Sequence, residues 1–168
     1  MKKNITTPQN MTYSKTINIK AMVNDEQYSG TQNFIKLESL AKDNPNDVTA
    51  QINAGISAYS NANYTMAIDH YNTAIKIDPN NGVAYNNLGN VYFRGLSKPN
   101  IALTYYERAT QVEPSYNYGW LNLALCQRKA RDIEGAKATI TQGLKALDIN
   151  DTMVTDLKEL MEEINRNM

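Results

Sequence analysis

Between residues 48 and 150 the chain alternates short amphipathic stretches with polar breaks. Three such stretches superpose at a step of 34 or 35 residues, beginning near Val48, Gly82 and Asn117. Pro45, Pro79 and Pro114 fall in register, with Asp148 where a fourth proline would stand. Within each unit the apolar positions lie three and four apart, which is helix spacing. Residues 48–81 give one helix through Ile52, Gly55, Ile56 and Tyr59, and a second through Ala67, Ile68, Tyr71, Ala74 and Ile75. Residues 82–116 give Tyr85, Leu88, Gly89 and Tyr92, then Ala102, Tyr105, Tyr106 and Ala109. This unit is one residue longer, and the sequence places the extra residue in the turn from Gly95 to Pro99. Residues 117–150 give Trp120, Leu123 and Ala124, then Ala136, Ile140, Gly143 and Leu144. A fixed period in this range marks a solenoid, whose units bury their apolar faces only by stacking.

The flanks are less regular. Residues 1–12 are polar, carry Pro8 and read as a tail. Residues 13–47 read as a degenerate helical copy. Tyr13, Ile17, Ala21 and Met22 fit a helix face, although Thr16 to Lys20 also alternates like a strand. Phe34, Leu37, Leu40 and Ala41 form a second amphipathic helix that stops before Pro45. Residues 151–168 break the period. Met153, Val154, Leu157, Leu160, Met161, Ile164 and Met168 make one face, and Asp156, Lys158, Glu159, Glu162 and Glu163 make a solvated one. A repeat array has an open apolar end, and this segment is expected to cap it. The expected fold is all-α: a right-handed α-solenoid of antiparallel helix pairs, three regular repeats between a degenerate copy and a capping helix.

The residues that recur in register resemble the tetratricopeptide repeat. That family's pattern asks for a large residue, leucine, a small residue and an aromatic in the first helix. It asks for alanine, aromatic and alanine in the second, and proline at the turn. Tyr85, Leu88, Gly89, Tyr92, Ala102, Tyr106, Ala109 and Pro114 match throughout. Residues 48–81 match at Gly55, Ala67, Tyr71, Ala74 and Pro79, with Gln51 and Ala58 weaker. Residues 117–150 match at Trp120, Leu123, Ala124 and Ala136, while Gln127, Gly143 and Asp148 depart. Gly55, Gly89 and Ala124 are expected to be small because paired helices approach closely there, and the aromatics are expected to fill gaps between neighbouring repeats.

The resemblance implies ligand binding on the concave side, lined by the first helices. Asn53, Asn87 and Asn122 stand two residues before the small residue in each unit. An asparagine offers a donor and an acceptor, so the three form a candidate ladder for the main chain of a peptide. This resembles the ladder in the repeat domain of O-linked N-acetylglucosamine transferase. The plainer reading is ordinary asparagine content, which is high throughout the chain. Beside the ladder, helix geometry sets Ile52, Ile56 and Tyr59; Asn86, Asn90, Phe93 and Arg94; and Tyr118, Leu121, Leu125 and Lys129. The expected groove is apolar and amide-rich, with positive charge only at Arg94, Arg128 and Lys129. Alternatively, some of its apolar residues pack against the N-terminal segment. Chaperone-binding members of the family use a basic carboxylate clamp. At those positions this chain carries Ile52, Ile56, Asn87, Tyr118 and Asn122, so only the second-repeat asparagine of the clamp survives.

Charge and composition narrow the function further. Seventeen basic residues balance seventeen acidic ones among 168, so nothing draws the chain toward nucleic acid or an anionic membrane. Pentatricopeptide repeats share the step and bind RNA, but they lack the alanine–aromatic–alanine set. Mean hydropathy is −0.54, and no apolar run approaches the ~18 residues of a membrane span. Residues 5–18 are too polar for a signal peptide. The chain reads as cytosolic, unless it is cut from a longer precursor. Cys126 is the one cysteine and reads as a buried inert thiol; His70 is the one histidine and reads as a solvated surface residue. No metal spacing, phosphate loop or nucleophile motif is present, and no cofactor is expected. The leading expectation is a non-enzymatic scaffold that binds a peptide or helix of another protein. A secretion or assembly chaperone for an apolar client is the alternative, because the layout resembles the small repeat chaperones of type III secretion. A homo-oligomer is the third class.

Overall fold

Polar caps set the start of most helices. Asp47 accepts from the main-chain N–H groups of Thr49 and Ala50, Asn63 from Met66, Asn81 from Ala84 and Asp132 from Gly135. Each such cap satisfies a helix-end donor and stabilises by about 1 kcal/mol. Pro99 opens its helix at a position where the missing N–H costs nothing. Between the helices of each regular pair the chain turns through one residue in the left-handed region: Ala62 (φ 58°), Ser97 (φ 54°) and Arg131 (φ 64°).

The computed structural model describes residues 26–166. The helix expected over residues 13–25, and Met168, lie outside the described residues. Eight α-helices follow in order: α1 Thr31–Asp43, α2 Val48–Ser60, α3 Tyr64–Ile77, α4 Gly82–Asn90, α5 Pro99–Val112, α6 Asn117–Lys129, α7 Ile133–Ala146 and α8 Thr152–Arg166. There is no strand among the described residues. Each helix packs on the next, most closely within the pairs α2–α3, α4–α5 and α6–α7. Helix α4 also touches α6, and α6 touches α8, so these three helices line one side. The molecule is an all-α repeat solenoid.

Small residues let the paired helices close on large ones. A Cβ on Gly55 would sit 2.5 Å from the Tyr71 ring, and one on Gly89 would sit 2.6 Å from the Tyr106 ring. In the third pair the facing residue is Ile140 in place of a tyrosine, and Ala124 stands where the others have glycine; both are fully buried. The departure at Gly143 has the same cause: its Cβ would meet the Trp120 Cβ at 2.9 Å. Tyr71 and Tyr106 thus fill space within their own pairs, and each also packs with the following repeat, Tyr71 with Leu88 and Val91 and Tyr106 with Leu123 and Cys126. Gln51, weak against the family pattern, donates through Nε2 to the carbonyls of Ala41 (3.1 Å) and Pro45 (3.3 Å). Trp120 donates to the carbonyl of Pro114 at 2.8 Å. An amide and an indole therefore make the same bond to the preceding proline.

The extra residue of the second unit is not in the Gly95–Pro99 turn. Helix α4 continues as a π-helical turn over Val91–Gly95, where Leu96 N–H donates to Val91 C=O at 2.9 Å. One wide turn absorbs the insertion. Gly95 is required there, since a Cβ would lie 2.9 Å from the Tyr64 ring.

Helix α8 lies against α6 and α7. Met153, Val154, Leu157, Leu160 and Ile164 pack with Trp120, Leu121, Ala124 and Ile140 into one cluster. Two expectations fail at this contact. Glu163 is 7% exposed and pairs with Arg128 of α6, so it is not on the solvated face. Leu121 is fully buried beneath α8 and lines no groove.

Candidate peptide-binding face

The inner side is built from α2, α4 and α6, and the three ladder asparagines occupy equivalent positions on it in three different states. Asn53 is half-buried. Its Oδ1 accepts from the Tyr28 hydroxyl at 3.2 Å. The Tyr28 carbonyl in turn accepts from Ser57 Oγ at 2.7 Å and from Asn61 Nδ2 at 3.5 Å. Side chains of α2 thus hold a non-helical stretch of the chain by its main chain.

Asn122 is committed within the fold. It is 3% exposed, donates to Asn86 Oδ1 at 2.9 Å and accepts from Arg94 Nη2 at 3.1 Å. Asn86 Nδ2 donates to the Tyr116 hydroxyl at 3.4 Å. Asn90 Oδ1 accepts from the Tyr106 hydroxyl at 2.8 Å. Burial pushes the Tyr71, Tyr106 and Tyr116 phenols well above their ordinary range, so all three stay neutral. The Arg94 guanidinium also lies 5.8 Å from the Phe93 ring centroid, placed there by the π-helical turn.

Asn87 differs from both. It is 1% exposed, and neither Nδ2 nor Oδ1 has a hydrogen-bond partner. The repeat explains the contrast. Asn122 is met by Asn86 from the preceding inner helix; the position of α2 equivalent to Asn86 is Ile52, which has no polar group to offer.

The apolar residues beside the ladder separate in the same way. Ile52 is half-buried, and Ile56 and Tyr59 pack onto the core beneath α2 and α3. Tyr118 and Leu125 pack against the α6–α8 cluster. Lys129 is exposed. The expected row of apolar groove residues on α6 is therefore largely taken up by α8, because α8 lies where a further inner helix would. The inner face that remains is centred on α2 and α4.

The one cysteine and the one histidine are both structural. Cys126 is fully buried, and burial pushes its thiol up to about 12. His70 is not a free surface group. Its Nδ1 lies 2.8 Å from Gln51 Oε1 and its Nε2 2.7 Å from Glu38 Oε1. Since Gln51 Nε2 donates to two carbonyls, its Oε1 is the atom turned to His70. Among the described residues no group of three or more His, Cys, Asp or Glu is arranged for a metal ion, and no helix is long and apolar enough to cross a membrane.

Comparison with known proteins agrees with this architecture. A TPR repeat model matches residues 58–94, and a tetratricopeptide repeat model matches residues 84–147. The chain is 27% identical over 112 residues to Hsp70-Hsp90 organizing protein 3 of Arabidopsis thaliana, covering 67% of this chain and 20% of that one. It is 32% identical over 117 residues to the heat-shock protein cognate (HSC) co-chaperone sgt12 of Aspergillus fumigatus, covering 67% and 34%. It is 28% identical over 121 residues to the peroxisomal targeting signal receptor of Candida glabrata, covering 72% and 20%. The match thus takes in only a fifth to a third of each relative's length. Among solved structures, the first TPR of Spaghetti (RPAP3), bound to the HSP90 peptide SRMEEVD, shares the fold. Its TM-score is 0.58 at 22% identity, over 70% of this chain and 95% of that one. The two family matches, the recurring small–large helix contacts and the shared solenoid place this chain in the tetratricopeptide repeat family.

Proposed function

We propose that this protein is a non-enzymatic interaction module that binds a peptide or helical segment of a partner protein along the inner face of α2 and α4. Asn87 carries the proposal. An amide buried without partners costs about 1–3 kcal/mol, and a main-chain N–H and C=O supplied by a ligand would satisfy both of its atoms. Reaching it requires the side chains above it to part. Tyr28 offers an internal precedent, since α2 already holds polypeptide by its carbonyl. The relatives, named as co-chaperones and a targeting receptor, support a protein partner.

The segment differs from the acidic tail bound by the Spaghetti domain. Ile52, Ile56 and Tyr118 stand at the clamp positions, Arg94 is held by Asn122 and Arg128 by Glu163. An uncharged, partly apolar segment fits better. The test is a peptide array probed with the wild-type protein and with Asn87→Ala, including SRMEEVD as one member. Uncharged peptides should bind above SRMEEVD, and Asn87→Ala should weaken them by about tenfold, or about 1.4 kcal/mol. Unchanged binding by a folded Asn87→Ala protein would remove the inner face as the site.

A further inference from the structure

Asn53 and Asn122 are both paired, but their partners differ in kind. Asn122 is met by Asn86 and Arg94, which belong to a packed helix and its π-helical turn. Asn53 is met by Tyr28, which lies in the non-helical stretch ahead of α1. Asn53, Ser57 and Asn61 stand four apart, on one row of α2 that ends at its C-cap. All three bond to Tyr28, and the bonds are those a peptide would make. The Tyr28 hydroxyl donates to Asn53 Oδ1 at 3.2 Å, the atom that would accept a ligand N–H. Its carbonyl accepts from Ser57 Oγ at 2.7 Å and from Asn61 Nδ2 at 3.5 Å. Gly30 aims the stretch. Its φ of 85° and ψ of 156° fall in a region essentially restricted to glycine, yet a Cβ there would meet nothing within 4 Å. The bend, and not a close neighbour, requires glycine at this position. Asn33 of α1 steadies the bend by donating to the carbonyls of Glu26 at 2.6 Å and Ser29 at 3.0 Å.

We propose that residues 26–30 form an autoinhibitory strap: Tyr28 occupies Asn53 in the unliganded protein, and a peptide running from α4 onto α2 must displace it. The inference rests on the peptide-binding reading of the inner face and adds the regulation of that site. The strap is covalently joined, so it competes at about millimolar effective concentration against a free peptide. Its hold is nevertheless light. Tyr28 and Ser29 are half-buried, while Glu26, Gln27 and Gly30 are exposed, and segments of this kind open at the low end of local stability. Apparent affinity falls in proportion to the open fraction, so a strap closed for about nine-tenths of the time weakens a competing peptide about tenfold. A peptide confined to α4 does not meet Tyr28 and is not weakened. The strap therefore selects segments long enough to engage both Asn87 and Asn53.

The test uses the full chain and begins without a peptide. Chymotrypsin cleavage after Tyr28 reads the strap directly, because the ring must leave α2 to enter the protease. Ser57→Ala removes one donor to the Tyr28 carbonyl and leaves Tyr28 itself intact, so it should accelerate this cut by about tenfold. An unchanged rate would overturn the proposal. In the second arm the probe is the uncharged peptide that ranks first on the array. It should accelerate the same cut in the wild-type protein, and it should bind about tenfold more tightly to Tyr28→Ala and about threefold more tightly to Tyr28→Phe. Protection of Tyr28 by the peptide, or equal or weaker binding by Tyr28→Ala, would make Tyr28 a wall of the groove and end the strap model. Should Tyr28→Ala fold poorly, Gly30→Ala strains the bend without touching α2, and it should raise both the cleavage rate and the affinity. Binding that depends on Asn87 but ignores Tyr28 removes the strap and leaves the inner-face reading standing. Binding that ignores Asn87, or no binding to any of these proteins, removes both.

Discussion

Asn122 donates its amide to Asn86 Oδ1, 2.9 Å away on the neighbouring inner helix, and accepts from Arg94 on its other side. Asn87, at the equivalent place one repeat earlier, is buried and makes neither bond. Two asparagines of identical register therefore have opposite energetic signs. Asn122→Ala should destabilise the protein by about 1–3 kcal/mol, because it leaves Asn86 and Arg94 short of a partner. Asn87→Leu removes an unpaired amide and should be neutral or stabilising by about 1 kcal/mol. Urea unfolding of the unliganded protein measures both. Destabilisation by Asn87→Leu equal to that of Asn122→Ala would show that Asn87 has a structural role.

Helix pairing depends on matched sizes at one contact. Gly89→Ala places a methyl against the Tyr106 ring and should cost about 1–3 kcal/mol. The third pair already contains the compensated combination, alanine opposite isoleucine. Adding Tyr106→Ile to Gly89→Ala should therefore recover part of the loss, against the separate cost of freeing Asn90 from its hydroxyl partner. A thermal-melt double-mutant cycle reads the coupling; strict additivity would contradict the pairing.

The Cys126 thiol should be unreactive in the native protein. Its folded pKa of about 12 lies above the ordinary value of 9.0, so folding favours the protonated form. That preference contributes fully below pH 9 and is lost as pH rises through about 12. Iodoacetamide at pH 8 should label Cys126 slowly in buffer and rapidly in urea. Fast labelling without denaturant would rule out the sealed environment.

His70 ties three helices together. Its two ring nitrogens reach Glu38 of α1 and Gln51 of α2 from α3. His70→Ala should loosen α1 first, at a cost of about 1 kcal/mol given the partial exposure of the pair. Hydrogen exchange should rise in α1 and remain unchanged in α6–α8. A uniform rise across the chain would argue against a local clip.

Much of the fold is legible because each repeat restates the same steric rule. Glycine at 55 and 89, with alanine and tyrosine on the facing helix, needs no tertiary information to be recognised. The substitutes are harder to read. Gln51 makes the bond of an indole, and Gly143 is explained only by Trp120 opposite. The solvated reading of Glu163 and the groove reading of Leu121 failed for one shared reason. Both depend on where α8 lands on α6, a non-local contact that helix periodicity does not encode. The states of Asn53 and Asn122 were hidden for the same reason, since their partners Tyr28, Asn86 and Arg94 lie 25 to 36 residues away. His70 was misjudged because its partners come from two other helices.

The π-helical turn at Val91–Gly95 gives the solenoid a tolerance that its regular repeats lack. The added residue is taken up before the chain reverses: Ser97 still adopts the left-handed conformation of Ala62 and Arg131, and Pro99 still opens α5. The turn that follows therefore keeps the form it has in the other two units. An insertion of this kind acts as a local side-chain rotator, turning Phe93 and Arg94 about the helix axis.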